Sequence, residues 1–272
     1  MNPIPPHSTE RTPMSDSRGV SYALGFILIF SVLITGTLAL FVVGVDLLAD
    51  VDRDEAVAAN QETATVIHSE VGDLAVQGAT QRTMTASVVD AQLGISDEPV
   101  TLRIESDALS AIEYQSQELV YDIPDHDRTF IYSFGHLYRT DGEHHQGVYS
   151  ETPPVFDVSG EQTRLVLPSL TGVGAGPTQI GTSGVSERSI TARYQGGESF
   201  TRTNADSGAV EPMTGTVTIA GTDHPRAWVD ALEATGFSSV EQIDGDVTGT
   251  FETERLTVRQ ADIVFEFGGG ES

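Results

Sequence analysis

The chain has 272 residues, 40 of them acidic against 14 basic, for a formal net charge of −26. Nucleic acid is excluded as a partner, because a phosphate backbone is bound by clustered Lys and Arg and none cluster here. With no cysteine, disulfides, thiol catalysis and Cys-ligated zinc are excluded as well.

All 14 basic residues are Arg, and the acidic residues are spread along the chain rather than gathered in a tail. At about 1 M salt the Debye length is roughly 3 Å, so dense surface carboxylates hardly repel one another there. The composition therefore reads as halophilic.

The first predicted element is apolar. Between Arg18 and Asp46 there is no charged residue, and Gly19–Val45 exceeds the about 20 residues that a membrane-spanning helix requires. It is too long for the h-region of a secretory leader, and no small-x-small cleavage pattern follows it. Arg11 and Arg18 precede the stretch and no basic residue follows until Arg53, an asymmetry that predicts a cytoplasmic N-terminus and an extracellular C-terminal portion. Within it Ser21 and Gly25, and then Ser31, Thr35 and Ala39, fall at four-residue intervals. Small side chains so spaced let a second helix approach closely.

Arg18-Gly19 directly before an uncharged helix, followed by Val20-Ser21-Tyr22-Ala23-Leu24-Gly25, resembles the class III signal of archaeal, in particular haloarchaeal, type IV pilin-like proteins and archaellins. The Pro that usually follows the Ser is absent, and Leu24 stands where bacterial pilins carry Glu. The resemblance covers roughly residues 11–50. It implies cleavage between Gly19 and Val20 by a prepilin peptidase, with Arg18, Gly19 and Val20 forming the processing site. It also implies a pilus assembly machinery as partner and burial of the apolar helices together in a filament.

After the apolar stretch the sequence is rich in helix formers and lacks Pro. Val57, Ala64 and Val71 repeat every seven residues with Asn60, Ile67 and Leu74 three after each, so one stripe is set against a face carrying Asp54, Glu55, Glu62 and Glu70. Packing of that stripe against the chain's own β domain is the expected use. From about Thr85 the period becomes two: Val100, Leu102 and Ile104, then Leu119, Tyr121 and Ile123, then Phe130, Tyr132 and Phe134, then Ile190, Ala192 and Tyr194 alternate with other residues. One later helix is marked by Pro225 at its start and Gly236 at its stop, with Trp228, Ala231, Leu232 and Thr235 on one face. Further on, Leu256 and Val258 are out of phase with Ile263, Phe265 and Phe267, which predicts a bulge or turn between Arg259 and Asp262.

Chemistry is only weakly signalled. His144 and His145, with Asp141 and Glu143 nearby, are zinc-compatible residue types, but adjacent residues of an extended segment point opposite ways. Asp125-His126-Asp127 has the make-up of a base with orienting carboxylates, without a signalled nucleophile or oxyanion donor. The glycines from Gly172 to Gly184 lack the Gly-Lys-Ser/Thr ending of a phosphate loop. Asp244-Gly245-Asp246 reads as a turn before it reads as a calcium site. No catalytic residue, metal or cofactor is expected.

The expectation from sequence is therefore an α+β chain: a cytoplasmic leader over 1–19, a transmembrane or assembly helix over 20–48, a helical stalk over 49–82, and a mainly antiparallel, sandwich-like extracellular head over 83–272 with one short helix. The expected role is that of a non-enzymatic, membrane-anchored pilin-like surface protein. Its expected partners are the lipid bilayer, the prepilin peptidase and assembly machinery, and copies of itself through the apolar helix. The alternatives are an unprocessed membrane-tethered binding module and an anchored ectoenzyme such as a hydrolase.

Overall fold

The computed structural model describes residues 17–124, 127–142, 147–173, 179–181, 185–206 and 209–268. The chain divides into two compact units, Met1–Asp54 and Glu55–Ser272. It opens with helix α1 (Ser17–Gln77), followed by β1 (Gln81–Val89), β2 (Gln92–Ile95), β3 (Val100–Ser106), β4 (Leu109–Ser116), β5 (Leu119–Ile123), β6 (Arg128–Ser133), β7 (His136–Asp141) and β8 (Gly147–Thr152). Then come β9 (Phe156–Val158), β10 (Thr163–Val173), β11 (Gln179–Gly181), β12 (Val185–Gly196), β13 (Ser199–Asp206), β14 (Ala209–Glu211) and β15 (Met213–Ala220). Helix α2 (Pro225–Ala234) precedes β16 (Ser238–Ile243), β17 (Asp246–Thr253) and β18 (Arg255–Phe267).

These strands form three sheets: seven strands around β1-β12-β18-β10-β9 with β13 and β14 attached, six in the order β11-β2-β5-β6-β7-β8, and five in the order β16-β17-β15-β3-β4. The molecule is thus mainly β, and the expected α+β class with a long transmembrane helix is corrected. Among the described residues no helix is long and apolar enough to cross a membrane. The expected single-pass localisation, with its bilayer anchor over 20–48, falls with it. The single sandwich is replaced by three sheets around two main cores.

The stripe of α1 within the second unit belongs to the first core. Asn60, Ala64, Ile67, Val71 and Leu74 are buried, and all but Asn60 pack with Leu93, Leu119, Tyr121, Phe130, Tyr132 and Leu137 of the six-stranded sheet and with Ile263, Phe265 and Phe267 of β18. The heptad pattern is used against the chain's own strands. Asn60 is tolerated in the seam because the Tyr121 hydroxyl donates to its Oδ1 at 2.6 Å. The helix ends at Gln77 and β1 starts at Gln81, and residues 55–77 of the helix belong to the second unit.

The second core joins the five-stranded sheet, α2 and the first half of β18, with Val100, Leu102, Ile104, Val217, Trp228, Phe251, Leu256 and Val258 among its members. Helix α2 follows from local signals. Pro225 occupies the first turn, Trp228 and Leu232 are fully buried, and Gly236 at φ 95° provides the left-handed stop. Phe237 N–H donates to Leu232 O at 3.1 Å and Gly236 N–H to Glu233 O at 3.3 Å, a paired C-terminal cap.

Strand β18 is continuous through Arg259–Asp262, so the bulge or turn expected there is corrected. Leu256 and Val258 face the second core, and Ile263, Phe265 and Phe267 face the first. The phase changes because the strand changes the core it serves. The register shift lies on its neighbour β12, where Tyr194 pairs with Ile263 and Gly196 with Asp262.

Leu74→Ala is expected to destabilise the protein by about 2–5 kcal/mol, because it opens a cavity at a fully buried position. Val66→Ala, on the exposed side of the same helix, should stay within about 0.5 kcal/mol. Denaturant unfolding of both variants checks the pair.

Candidate functional site

Two features stand out, one in each unit. The first is the apolar band of α1. Nine large side chains, Phe26, Ile27, Leu28, Ile29, Phe30, Val32, Leu33, Ile34 and Leu38, are 45–69 % exposed. They surround the helix rather than lining one face, and Phe26 and Phe30 stack with ring centroids 5.9 Å apart. Two of the expected packing residues sit in this band with their hydroxyls turned back onto the helix. Ser31 donates to Ile27 O at 2.7 Å and Thr35 to Ser31 O at 2.8 Å, so neither hydroxyl requires water. Arg18, Gly19, Val20, Ser21 and Gly25 lie within the helical backbone, and Ala39 does too. The side chains of these six lie outside the described residues.

The second feature is a cavity of about 520 Å³ in the second unit, on the face of the six-stranded sheet turned away from the first core. Strand alternation builds it. Leu119, Tyr121 and Ile123 of β5 point into the core, so Glu118, Val120 and Asp122 share the opposite side. The lining includes Asp97 after β2, Glu118 just before β5 and Asp122 within it, Thr129 of β6, and Asp223 and His224 just before α2. No Arg is among the lining residues.

The Ser96–Glu118 junction is tied by four hydrogen bonds. Ser96 N–H donates to Glu118 O at 2.8 Å, Glu118 N–H to Ser96 Oγ at 2.8 Å, Gln117 Nε2 to Ser96 O at 2.9 Å, and Ser96 Oγ to Glu98 O at 3.0 Å. Across the β5–β6 ladder, Thr129 Oγ1 donates to Asp122 Oδ1 at 3.0 Å. Glu118 is only 9 % exposed, and the hydroxyl of the fully buried Tyr138 donates to its Oε1 at 2.9 Å. Burial drives the Glu118 carboxyl up to about 7; the Tyr138 hydrogen bond opposes the shift and nearby Asp223 adds to it.

Behind this wall the aromatic rings of His224, Tyr138, His136 and Trp228 follow one another. His224 and Tyr138 are 5.7 Å apart between centroids, Tyr138 and His136 5.0 Å, and His136 and Trp228 4.9 Å. His136 is fully buried with its Nε2 3.1 Å from Ser150 Oγ, and desolvation, with a smaller contribution from His68, lowers its pKa to about 3. It is therefore a neutral structural ring at ordinary pH.

The sequence-level candidates fare differently. Glu143, His144, His145, Asp125 and His126 lie outside the described residues. Asp141 is engaged by Arg128 at 2.8 Å and by Arg139 at 3.1 Å. Among the described residues no group of three or more His, Cys, Asp or Glu is placed to hold a metal ion. Asp244-Gly245 forms the tight turn between β16 and β17, with φ of 53° and 96°. Of the glycine-rich segment, residues 174–178 and 182–184 lie outside the described set, and the rest falls in β10 and β11. Sequence reasoning did not single out Asp97, Glu118, Asp122, Asp223 or His224. The available signal was the spacing of Glu118 and Asp122 on one side of a strand whose other side is wholly apolar.

Fold and site together define a mainly β protein with a packed helix-and-sheet core, an apolar helical band and an acidic cavity. The chain belongs to the family of unknown function DUF7289, which it matches over residues 18–266. No curated protein matches the chain. No solved structure does either.

A carboxyl whose folded pKa exceeds its ordinary 4.5 contributes stability below that value and loses it as pH rises toward about 7. Glu118→Gln, which keeps an acceptor for Tyr138, is therefore expected to gain about 1–3 kcal/mol over wild type near pH 8 and almost nothing near pH 4. Thermal or denaturant unfolding at the two pH values measures the difference.

Proposed function

We propose that this chain is a non-enzymatic structural subunit, or minor component, of a pilus-type filament, assembled through its N-terminal helix. The exposed apolar band Phe26–Leu38 carries the reading. Burying nine such side chains against like helices is worth on the order of 10 kcal/mol per chain, enough to drive assembly. The band's Ser31 and Thr35 hydroxyls are satisfied within the helix, which suits a protein core. The family match begins at residue 18, so the helix is part of what the family shares. The similarity of Arg18-Gly19-Val20-Ser21 to a class III signal supports processing between Gly19 and Val20, in the first turn of α1, by a prepilin peptidase, with the pilus assembly machinery as the further partner.

Sequencing the N-terminus of the mature protein from its native cells tests the processing step: Val20 is expected first. An intact leader, or a mature chain beginning beyond Leu48, would count against the proposal. Leu33→Asp within the band is expected to abolish filaments in electron micrographs while leaving the fold of the second unit unchanged by circular dichroism. Filaments that persist in this variant would sink the assembly role.

A further inference from the structure

We propose that the cavity between β2, β5, β6 and the segment preceding α2 binds a small organic cation carrying an amine or guanidinium group, with Glu118 as its deepest contact. This site is separate from the apolar band, and its argument does not depend on filament assembly.

The cavity's volume, about 520 Å³, falls in the range of small-molecule sites, which is roughly 300–1,000 Å³. Its polar lining is one-sided. Four carboxylates, Asp97, Glu118, Asp122 and Asp223, contribute to it with no Arg among the lining residues. Asp97 and Asp223 are exposed and Asp122 is half-buried, which sets them nearer solvent than Glu118. Glu118 itself is nine-tenths buried, yet only its Oε1 is engaged, by Tyr138. Its Oε2 has no hydrogen-bond partner among the described residues.

A carboxylate on a side chain this deeply buried is poorly solvated, and a cationic donor that reaches it through the cavity relieves that penalty. The groups around it determine the sign. Tyr138 donates from β7, Asp122 and Asp97 add negative charge from β5 and the end of β2, and Asp223 adds more from the segment that also places His224. Thr129 donates to Asp122 and so holds that carboxylate in place. An anion would face only like charges here.

A bare metal ion fits less well. The acidic side chains are spread around the cavity rather than converging, and no three metal-ligating residues are placed to share one ion among the described residues. A cation of several heavy atoms, with a flat or tetrahedral nitrogen head to reach Glu118 and a short stem past Val120 and Ile131, matches both the size and the mixed lining. Exposed carboxylates lose much of their reach as ionic strength rises, whereas a buried one is screened far less. Glu118 therefore keeps its pull in strong salt.

Agmatine, which carries both a guanidinium and an amine, is the probe, titrated calorimetrically into the full chain with calcium chloride and sodium citrate as controls. Saturable one-to-one binding of agmatine is expected, weakened roughly tenfold or more by Glu118→Gln and separately by the Asp97→Asn, Asp122→Asn double variant. Affinity should also fall from about pH 8 to about pH 6 in wild type, because Glu118 must be ionised, and that dependence should vanish in Glu118→Gln. The double variant leaves the buried wall intact, so it tests the site independently of Glu118. Absence of saturable binding by the wild type, affinity unchanged in both variants, or calcium binding more tightly than agmatine would each overturn the proposal.

Discussion

Strand β18 is the constraint on which the remaining architecture depends. Eight of its thirteen residues are buried, and it must present apolar side chains to one core from Leu256 and Val258 and to the other from Ile263, Phe265 and Phe267. A strand exposes successive residues to opposite faces, so serving both cores forces a change of phase, and Gln260 and Ala261 are the adjacent buried pair where it occurs. The neighbours obey the same division. In the parallel partner β10, Leu165 and Leu167 join the second core and Leu170 the first. On the other edge β13 pairs with Arg255–Arg259 and β12 with Asp262–Phe267, so the chain passes from one to the other beside Gln260. Gln260 N–H donates to Glu198 O at 2.8 Å and Glu198 N–H to Gln260 Oε1 at 3.2 Å, which satisfies the backbone where the ladder is interrupted.

With one sheet committed to both cores, the other two sheets and both helices have fixed duties. The six-stranded sheet turns Leu119, Tyr121, Phe130 and Tyr132 toward α1 and the second half of β18. Its opposite face then requires cover of its own. Part of that cover comes from α2, whose Ala227 packs with Ile131 and Tyr138. The rest of the face stays open as the acidic cavity. The burial of Glu118 is thus a by-product of sheet geometry: strand alternation places it on the second face, and the Ser96 turn and Tyr138 close over it. A group placed in this way costs stability when it ionises.

The sequence was informative wherever structure is set by near neighbours. The heptad stripe from Asn60 to Leu74 was legible because a helix brings residues three and four apart onto one side, and α2 because Pro225 and Gly236 act within a turn of themselves. The phase change in β18 was visible too, but periodicity reports which side a residue takes and not what lies on that side. It was therefore read as a local irregularity rather than as a change of core. The apolar length of Gly19–Val45 indicated a membrane span, whereas no helix among the described residues is long and apolar enough to cross a membrane. The cavity was not legible at all. Glu118 and Asp122 occupy the polar phase of an alternating strand, the usual mark of a solvated face, and only Ser96, Tyr138 and Asp223, distant in sequence, make that face an enclosure.

The chain's charge acts differently at its surface and in its interior. Arginines paired at the surface, such as Arg103 with Glu105 at 2.7 Å or Arg193 with Glu266 at 3.0 Å, involve groups open to water, and such pairs contribute little and less still as salt is added. The remaining exposed carboxylates repel one another by amounts that salt likewise suppresses. Glu118 is subject to neither relief, because burial rather than surface repulsion is the first cause of its raised pKa. Added salt therefore relaxes the exposed carboxylates, Asp97 and Asp223 of the cavity among them, far more than it relaxes Glu118. That difference separates a specific electrostatic site from the general acidity of the chain, since only the former retains its preference for a cation when the bulk solution is already full of them.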